Sequence, residues 1–313
     1  MSSKKLGLAL GSVIVSAGLV VWLLTRLDAQ QALQLLSEAH TGWLVVAALI
    51  TAGMPFTSVM RWRGVLRATE GAQLPFFVSL RAVLMANVLN SFLPSKLGDA
   101  AKAGYLREKG GLTQGVGTVL LERLVDLGVL GALALLGSLQ SGLIWGWLAG
   151  VALLGGVVTL FSIMLFIPFA RLPLPDKVTS LFSKLKSVFT SWRADARAVA
   201  QTLTGSLLTW SLGGLTVYCL VRAFGAEVGL GTVYSIFPPA ILAGLAPLTV
   251  SGIGTRDAAF VTLLAPYTST EQATLIGLSY TLYAYWLLSL LSLPVVFWEL
   301  KAQWTAKPLP NKP

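Results

Sequence analysis

Six stretches of roughly 20 mainly apolar residues follow one another along the chain, and they constrain its fold more than any other feature. A helix needs about 20 such residues to cross the hydrocarbon core of a bilayer, which is about 30 Å thick. Because lipid offers the backbone no hydrogen-bond partners, stretches of this length predict helices. The predicted spans are residues 6–24, 43–60, 115–139, 147–169, 202–221 and 272–298. The sequence therefore predicts an all-α polytopic membrane protein with about six transmembrane helices.

The composition agrees with this class. Apolar residues make up 55% of the chain and charged residues only 12%, whereas soluble domains carry about 25% charged residues. These values exclude an ordinary soluble enzyme and a nucleic-acid-binding protein. A single cysteine, Cys219, and a single histidine, His40, exclude a disulfide framework and metal sites built from several such ligands. We expect no metal and no cofactor, and no phosphate-binding loop for ATP is present in the sequence.

The positive charges predict an orientation. If the six spans alternate, 19 of the 23 lysines and arginines fall on one side, and only Arg26 and Arg222 on the other. Basic residues concentrate on the cytoplasmic side of membrane proteins. We therefore predict an integral protein of the plasma membrane, the inner membrane in a bacterium, with both termini in the cytoplasm. The net charge of +10 then reflects topology and requires no acidic partner.

We predict one integral membrane domain over residues 1–300, with a cytoplasmic connector at residues 171–201 and a disordered tail at residues 301–313. The connector has apolar residues at steps of three and four, typical of an amphipathic helix. The basic residues Lys177, Lys184, Lys186 and Arg193 lie off this stripe. The pattern predicts a basic helix on the inner leaflet, or a simple connector held at the lipid headgroups. The apolar stripe consists of Val178, Leu181, Phe182, Leu185, Val188, Phe189 and Trp192.

Residues 76–107 form the first of two interrupted apolar segments. Pro94 and Gly98 break any single helix near its middle. A break at membrane depth requires surrounding protein or a water-filled cavity. Since both flanking loops are predicted to be cytoplasmic, we expect this segment to enter the membrane and return as a re-entrant hairpin. The polar residues that we expect to face the cavity are Asn87, Asn90, Lys96 and Asp99.

The second interrupted segment, residues 232–266, is predicted to enter from the opposite face. A turn with Gly252 and Gly254 leads into a helix that begins with Arg256 and Asp257. Free N–H groups at a helix N-terminus favour a phosphate or carboxylate, and Arg256 would add a positive charge. Alternatively, Asp257 caps its own helix and pairs with Arg256.

The two interrupted segments also resemble each other, as P-S-K-L-G-D-A at 94–100 and P-L-T-V-S-G-I-G-T-R-D-A at 247–258. Interrupted elements that enter from opposite faces are typical of inverted repeats in transporters, whose substrate site lies near the bilayer midplane. The sequence therefore predicts a possible inverted repeat around a shared polar cavity.

Three charged residues, Glu122, Arg123 and Asp126, interrupt an otherwise apolar span. At 1.5 Å per residue they lie about 10 Å into the membrane. A charge facing lipid at such depth costs on the order of 2.5–3.5 kcal/mol, so these side chains should face the interior and belong to a functional site. The alternative is a structural ion cluster that ties this span to Lys96 or Arg81.

Three strings are similar to a known family. N-x-x-N-S-F-L-P-S-K-L-G-D-A-A-K-A-G-Y-L-R (87–107), G-x-x-L-L-E-R-L-V-D-L (117–127) and A-P-L-T-V-S-G-I-G-T-R-D-A-A (246–259) occur in that order. They resemble the flippase-like membrane domain of lysylphosphatidylglycerol synthases. The resemblance covers nearly the whole chain, and it implies a polytopic fold with re-entrant elements that moves a lipid between leaflets. Because the sequence ends at Pro313 without an aminoacyl-transferase domain, we expect no lysine transfer to lipid.

We therefore expect a non-enzymatic lipid translocator, whose cargo is a phospholipid or a polyprenyl-phosphate-type lipid with a phosphate-bearing headgroup. Two alternatives belong to other classes. A membrane enzyme could use Glu122 and Asp126 as an acid–base pair. An accessory subunit of a lipid or surface-glycan synthesis pathway could contact its enzyme through the basic helix at residues 177–197.

Overall fold

A computed structural model describes residues 3–107, 111–168, 173, 175–246 and 248–305. Over these residues all regular secondary structure is helical, and there is no β-strand. Short 3₁₀ turns at Pro94–Asp99 and Val250–Gly252, and a π-helical turn at Leu282–Leu287, interrupt or join the α-helices. The α-helices are α1 (Ser3–Leu24), α2 (Ala29–Ser37), α3 (Thr41–Arg67), α4 (Phe76–Asn90), α5 (Ala100–Gly104), α6 (Leu112–Ser141), α7 (Ile144–Phe166), α8 (Asp176–Ala194), α9 (Ala196–Ala223), α10 (Leu230–Leu245), α11 (Thr255–Leu264), α12 (Thr270–Thr281) and α13 (Leu288–Thr305).

Four described helices are long and apolar enough to cross a membrane, so the protein is an α-helical membrane protein. They are α3, α7, α9 and the continuous rod Thr270–Glu299; a fifth results if α1 and α2, bent by 89°, count as one span. The six spans expected from the sequence exceed this number. The predicted span 115–139 lies in α6, which packs against α5, α7, α8, α9 and α10.

Helices α3 and α9 form a closely packed antiparallel pair. Arg67, at the end of α3, pairs with Asp195, which precedes α9, at 3.4 Å. At the other end, the N–H of His40 donates to the carbonyl of Ala223 at 2.9 Å. The backbones approach so closely that a Cβ at Gly205 would lie 2.5 Å from the backbone nitrogen of Arg61, as is common where small residues line membrane helices. The C-terminal ends of α3 and α9 therefore point to opposite faces of the molecule.

Each helix of this pair leads into one of the two interrupted segments, which have the same order of elements. The first consists of α4, the 3₁₀ turn Pro94–Asp99 and α5; the second consists of α10, the 3₁₀ turn Val250–Gly252 and α11. The interruption expected at Pro94 and Gly98 is present. The same order of elements therefore occurs twice along the chain: a long helix, a short helix, a break, a second short helix and another long helix.

Both interrupted segments end close to where they begin. The side-chain amide of Gln114, in the first turn of α6, donates to the carbonyl of Glu70, before α4, at 3.2 Å. The amide of Gln272, in the first turn of α12, donates to the carbonyl of Phe224, after α9, at 3.0 Å. Since α3 and α9 are antiparallel, the two segments start from opposite faces.

The predicted amphipathic connector is a helix, α8, but its apolar stripe does not lie on the membrane. Val188, Phe189 and Trp192 are buried against Val65 and Leu121 of the protein itself. The indole N–H of Trp192 also donates to the hydroxyl of Thr202 at 3.0 Å. The expectation of a stripe facing the leaflet is therefore wrong for this half of the helix, because α6, α7 and α9 cover it. The helix packs as part of the protein core.

The C-terminal part of the chain departs from the predicted tail. Helix α13 continues to Thr305, so the tail does not start at residue 301. Residues 306–313, which the sequence predicts to be disordered, lie outside the described residues.

Candidate functional site

The two interrupted segments meet inside the molecule. The hydroxyl of Ser251, in the second break, donates to the carbonyl of Asn90, at the end of α4, at 2.7 Å. Close approach within each break depends on glycine: a Cβ at Gly98 would lie 2.5 Å from the nitrogen of Asn90. Ser251 adopts φ of 57°, a left-handed conformation that is uncommon outside glycine. Such backbone persists where the surrounding structure enforces it, often at functional sites.

Beside this junction, α6 presents two fully buried carboxylates on one face. Glu122 and Asp126 are 0% and 2% exposed. Arg61, from α3, bridges them: its Nε lies 2.7 Å from Glu122 Oε1 and its Nη1 3.0 Å from Asp126 Oδ1. The hydroxyl of Ser206 on α9 donates to the same Asp126 oxygen at 2.6 Å. The carboxylates thus join α3, α6 and α9.

Three further charged groups complete the cluster. Lys102 Nζ, on α5, lies 2.6 Å from Glu122 Oε2 and 3.4 Å from Asp99 Oδ1. Arg123 Nη2 lies 3.0 Å from Asp126 Oδ2, and its Nε lies 3.5 Å from Asp99 Oδ2. Three cations therefore face three carboxylates, with a formal net charge of zero. We name Arg61, Asp99, Lys102, Glu122, Arg123 and Asp126 the charge cluster.

The cluster differs from the ion cluster considered from the sequence. That alternative paired α6 with Lys96 or Arg81, but the partners are Arg61 and Lys102. Arg81 instead stacks over the ring of Trp298, 4.3 Å from its centroid, and the side chain of Lys96 lies outside the described residues. Arg61 and Lys102 each stand in a basic run near a helix end, so the sequence pattern places them among the charges of the cytoplasmic side. Charge balance is the signal by which the sequence could have pointed to further cations: Asp99, Glu122 and Asp126 need three positive partners, and only Arg123 lies among them in the charged part of α6.

A cavity opens between the charge cluster and the second segment. Its volume is about 80 Å³, enough for a few waters at about 30 Å³ each but well below the roughly 300–1,000 Å³ of ligand pockets. Arg123 has a 24% exposed side chain, against 0–9% for the other five members of the cluster. It is therefore the most accessible charge. Polar residues that line the cavity are Ser58, Arg61, Asn87, Asn90, Asp99, Arg123, Thr209, Tyr280 and Tyr285.

Arg256 lies behind the opposite wall of this cavity. Its guanidinium lies 5.2 Å from the ring centroid of Tyr280 and 4.5 Å from that of Tyr285, and both tyrosines line the cavity. The guanidinium also donates to the carbonyl of Ser251 at 3.1 Å and to the hydroxyl of Thr281. Two aromatic rings and two oxygen acceptors therefore enclose this cation, which is 1% exposed.

Asp257 has the geometry of the capping alternative. Its Oδ2 accepts the N–H of Gly254 at 2.9 Å, and its Oδ1 accepts the hydroxyl of Thr281 at 2.7 Å. The same Oδ1 lies 3.7 Å from Arg256 Nε. The N–H of Ile253 donates to Val250, so at least two N–H groups of this turn are already engaged and are not open to a ligand.

The predicted site residues thus fall into two layers. Asn87, Asn90, Asp99 and Arg123 line the cavity, and Glu122 and Asp126 support them from behind. Arg256 lies behind the tyrosines with Asp257 beside it, and Gly252 and Gly254 are buried in the turn that precedes them. The sequence analysis missed Arg61, Lys102, Tyr280 and Tyr285. A polar tyrosine in an apolar helix was the only signal for the last two.

The π-helical turn at Leu282–Leu287 holds Tyr285 at the cavity. The hydroxyl of Ser91 donates to the carbonyl of Tyr285 at 3.1 Å and is hydrogen-bonded to the hydroxyl of Ser289. These bonds tie the turn to the end of α4. Turns of this kind are frequent at functional sites.

Within the described part of the chain, no group of three His, Cys, Asp or Glu side chains is placed to hold a metal ion.

Comparison with known proteins gives two matches. The family model described as "Lysylphosphatidylglycerol synthase TM region" matches residues 8–292. A UPF0104 membrane protein of Methanocaldococcus jannaschii is 29% identical over 187 residues, which cover 56% of this chain and 78% of that protein.

Proposed function

Since the chain belongs to the family of the lysylphosphatidylglycerol synthase transmembrane region, we propose that it moves a lipid with a phosphate-bearing headgroup between leaflets. The cargo is a phospholipid or a polyprenyl-phosphate-type lipid, and the path is the polar cavity between the interrupted segments. The observation that carries this proposal is an accessible arginine, Arg123, which lines the cavity together with Arg61 and Asp99 and is compensated by Asp99 and Asp126.

The arrangement of the interrupted segments supports a transporter. We propose that α4 with α5, and α10 with α11, are re-entrant hairpins that enter from opposite faces and form an inverted repeat. The hydrogen bonds of Gln114 to Glu70 and of Gln272 to Phe224 favour segments that return to the side from which they started. Hairpins of this kind typically meet at a substrate site near the bilayer midplane.

The charge cluster suggests how a headgroup would be held. A phosphate is a good bidentate partner for a guanidinium, and Arg123 is held by carboxylates at 3.0 and 3.5 Å. A phosphate that enters the cavity would compete with Asp99 for Arg123. Lys102 remains 3.4 Å from Asp99 and would compensate the released carboxylate. Arg61, bound to both Glu122 and Asp126, would keep the remaining cluster in place.

The small volume implies a conformational change during transport. At about 80 Å³ the cavity is too small for a complete phospholipid headgroup. We propose that the described conformation is closed, and that the headgroup enters when the hairpins move apart. The lipid tails stay in the bilayer, so only the polar head needs a path that avoids hydrocarbon.

We also propose that the protein is not an enzyme. An acid–base mechanism would use Glu122 and Asp126, but both are bound by Arg61, which favours ionised, structural carboxylates. We propose that it resides in the plasma membrane with both termini in the cytoplasm, because most basic residues fall on one predicted side.

Reconstitution tests the proposed transport. Purified protein in liposomes, with fluorescent phosphatidylglycerol in both leaflets, should make the inner-leaflet probe accessible to an impermeant quencher within minutes. Arg123→Gln should slow this exchange at least tenfold, because the cation that meets the phosphate is lost. Arg193→Gln, on the exposed face of α8, is the matched control and should behave as wild type. The proposal would be excluded if liposomes that contain the wild-type protein exchange no more probe than protein-free liposomes, with either phosphatidylglycerol or a polyprenyl phosphate as the probe.

A second candidate, a non-catalytic accessory subunit, is favoured by one observation. Val188, Phe189 and Trp192 of α8 are buried in the core, whereas Lys184 and Arg193 are exposed. This basic surface is suited to an acidic patch on a lipid or glycan synthesis enzyme. Charge reversal at Lys184 and Arg193 tests this role. It would be supported if the variant still exchanges lipid but no longer co-purifies with such an enzyme.

A further inference from the structure

A groove on the outer surface between α4 and α13 is distinct from the central cavity. Its volume is about 330 Å³, within the range of small-molecule sites. Pro294 lies inside α13 beside it, where it removes one backbone hydrogen bond of the helix. The lining residues are Phe77, Leu80, Arg81 and Leu84 on α4, and Pro294, Val295 and Trp298 on α13. The groove is therefore apolar apart from a single cation.

Arg81 is available to a ligand. Its guanidinium stacks on Trp298 at 4.3 Å, and no carboxylate among the described residues forms an ion pair with it. The carboxylate of Glu299 lies near the hydroxyl of Tyr105, and its Oε2 is buried without a hydrogen-bond partner among the described residues. Arg81 is five residues from the start of α4, about 7.5 Å along the helix axis. A tryptophan and an arginine near a helix end are typical of the headgroup level of a membrane.

The groove leads toward the central cavity along the same two helices. On α4, Leu84 of the groove precedes Asn87 of the cavity by three residues, so both lie on one helix face. On the other side, Leu288 lines the cavity and Val295, two turns later, lines the groove. Between them, the hydroxyl of Ser289 donates to the carbonyl of Asn87 at 3.3 Å and holds the helices together. The seam of α4 and α13 thus connects a surface site to the cavity.

From this geometry we propose that the groove binds one anionic phospholipid, with its phosphate on Arg81 and an acyl chain along Phe77, Leu84 and Val295. The choice of this lipid follows from charge complementarity. Arg81, which forms no ion pair with a carboxylate of the described residues, lies at the proposed headgroup level beside the apolar groove, and an anionic headgroup would compensate its charge. Basic sites between membrane helices recognise anionic headgroups in this way. As an entry site for cargo, the groove rests on the proposed transport function; as a lipid-binding site, it does not.

Native mass spectrometry of the purified full-length protein in detergent tests the binding site. Phosphatidylglycerol and phosphatidylcholine with identical acyl chains are titrated separately. The wild type should bind one phosphatidylglycerol at least tenfold more tightly than phosphatidylcholine. Arg81→Gln should remove this preference, and Arg81→Lys should restore part of it. Arg63→Gln is the matched control, because Arg63 also lies over an aromatic ring, Phe76, but not in the groove.

A second variant tests the apolar part of the site. Leu84→Trp fills the groove without changing any charge, so it should weaken binding of both lipids. Equal binding of phosphatidylglycerol by wild type and Arg81→Gln would overturn the proposal. A dimer whose formation depends on Trp298 would also overturn it, because a second copy of the chain would then occupy the groove. The two hypotheses fail separately. If the protein binds phosphatidylglycerol through Arg81 but exchanges no lipid in liposomes, only the transport proposal is contradicted. If it exchanges lipid but Arg81→Gln leaves the headgroup preference unchanged, only the groove site is contradicted.

Discussion

At the scale of single residues, the molecule is organised by compensation of buried charge. The desolvation of an ion costs several kcal/mol, and a partner in good geometry recovers this cost. In the charge cluster, Arg61 contacts two carboxylates and Glu122 contacts three cations. The free energy of each ion therefore depends on the others, and no member can be removed without leaving a charge in the interior.

Removal of one charge should destabilise the protein far more than removal of a neutral pair. Arg61→Met leaves a net charge of −1 in the cluster, and we expect a loss of about 3–5 kcal/mol. Adding Glu122→Gln restores neutrality and should recover part of that loss. Thermal unfolding in detergent micelles measures both, with Arg63→Met as the control for loss of an arginine from the same helix. Additive effects of the two substitutions would contradict the coupling.

The glycine at the first break permits a specific close approach. A Cβ at position 98 would lie 2.5–2.7 Å from backbone and side-chain atoms of Leu89 and Asn90. We therefore expect Gly98→Ala to lower stability by about 1–3 kcal/mol, as overpacking does, and to disturb the cavity wall at Asn90. Gly104→Ala is the matched control, because a Cβ there meets nothing within 4 Å. Equal melting temperatures of the two variants would mean that the chain relaxes at Gly98.

At the scale of elements, the direction of a helix face depends on its neighbours. Helix α8 has the sequence of a membrane-surface helix, yet Val188, Phe189 and Trp192 of its stripe are buried in the core, where α8 packs on α6, α7 and α9. This places a rigid cover beside the start of α6, where a Cβ at Gly117 would lie 3.1 Å from Val188. The role of α8 is therefore to complete the core on one face of the bundle.

Truncation of a buried and of an exposed residue of the α8 stripe should have different effects. Trp192 is 6% exposed and hydrogen-bonded to Thr202, so Trp192→Ala should cost about 3–5 kcal/mol. Leu181, at 42% exposed, should cost less than about 1 kcal/mol when changed to Ala. Melting temperatures in the same detergent compare the two. If α8 lay on the leaflet through its stripe, both variants would leave the melting temperature unchanged and weaken membrane contact instead.

At the scale of the whole molecule, two similar halves place their breaks face to face. The antiparallel pair of α3 and α9 fixes this relation, and the contact between Ser251 and Asn90 joins the breaks. A site between two halves can open toward either face by motion of one half against the other. The small volume of the cavity, about 80 Å³, and the groove along α4 and α13 are what we expect of one closed state in such a cycle.

Accessibility to an impermeant thiol reagent tests this arrangement. In a Cys219→Ser background, cysteines at Gln73 and Leu112 should react from one side of oriented proteoliposomes. Cysteines at Glu227 and Thr270 should react from the other side if, as proposed, each interrupted segment returns to the face from which it starts. All four positions are exposed in the structure. Labelling of positions 73 and 112 from opposite faces would show that the first segment crosses the membrane completely.

The amino-acid sequence specified the properties that depend on neighbouring residues along the chain. Apolar length predicts helices, proline and glycine predict the breaks near Pro94 and Gly252, and the cost of charge in lipid directs Glu122 and Asp126 inward. These features required no knowledge of which helices touch. The partners of those charges did require it. Arg61 and Lys102 reach Glu122 from helices 61 and 20 residues away in sequence, and Tyr280 encloses Arg256 from another helix. Three-dimensional packing selected these contacts, because ion pairing and ring stacking depend on distance in space, which a linear pattern does not contain.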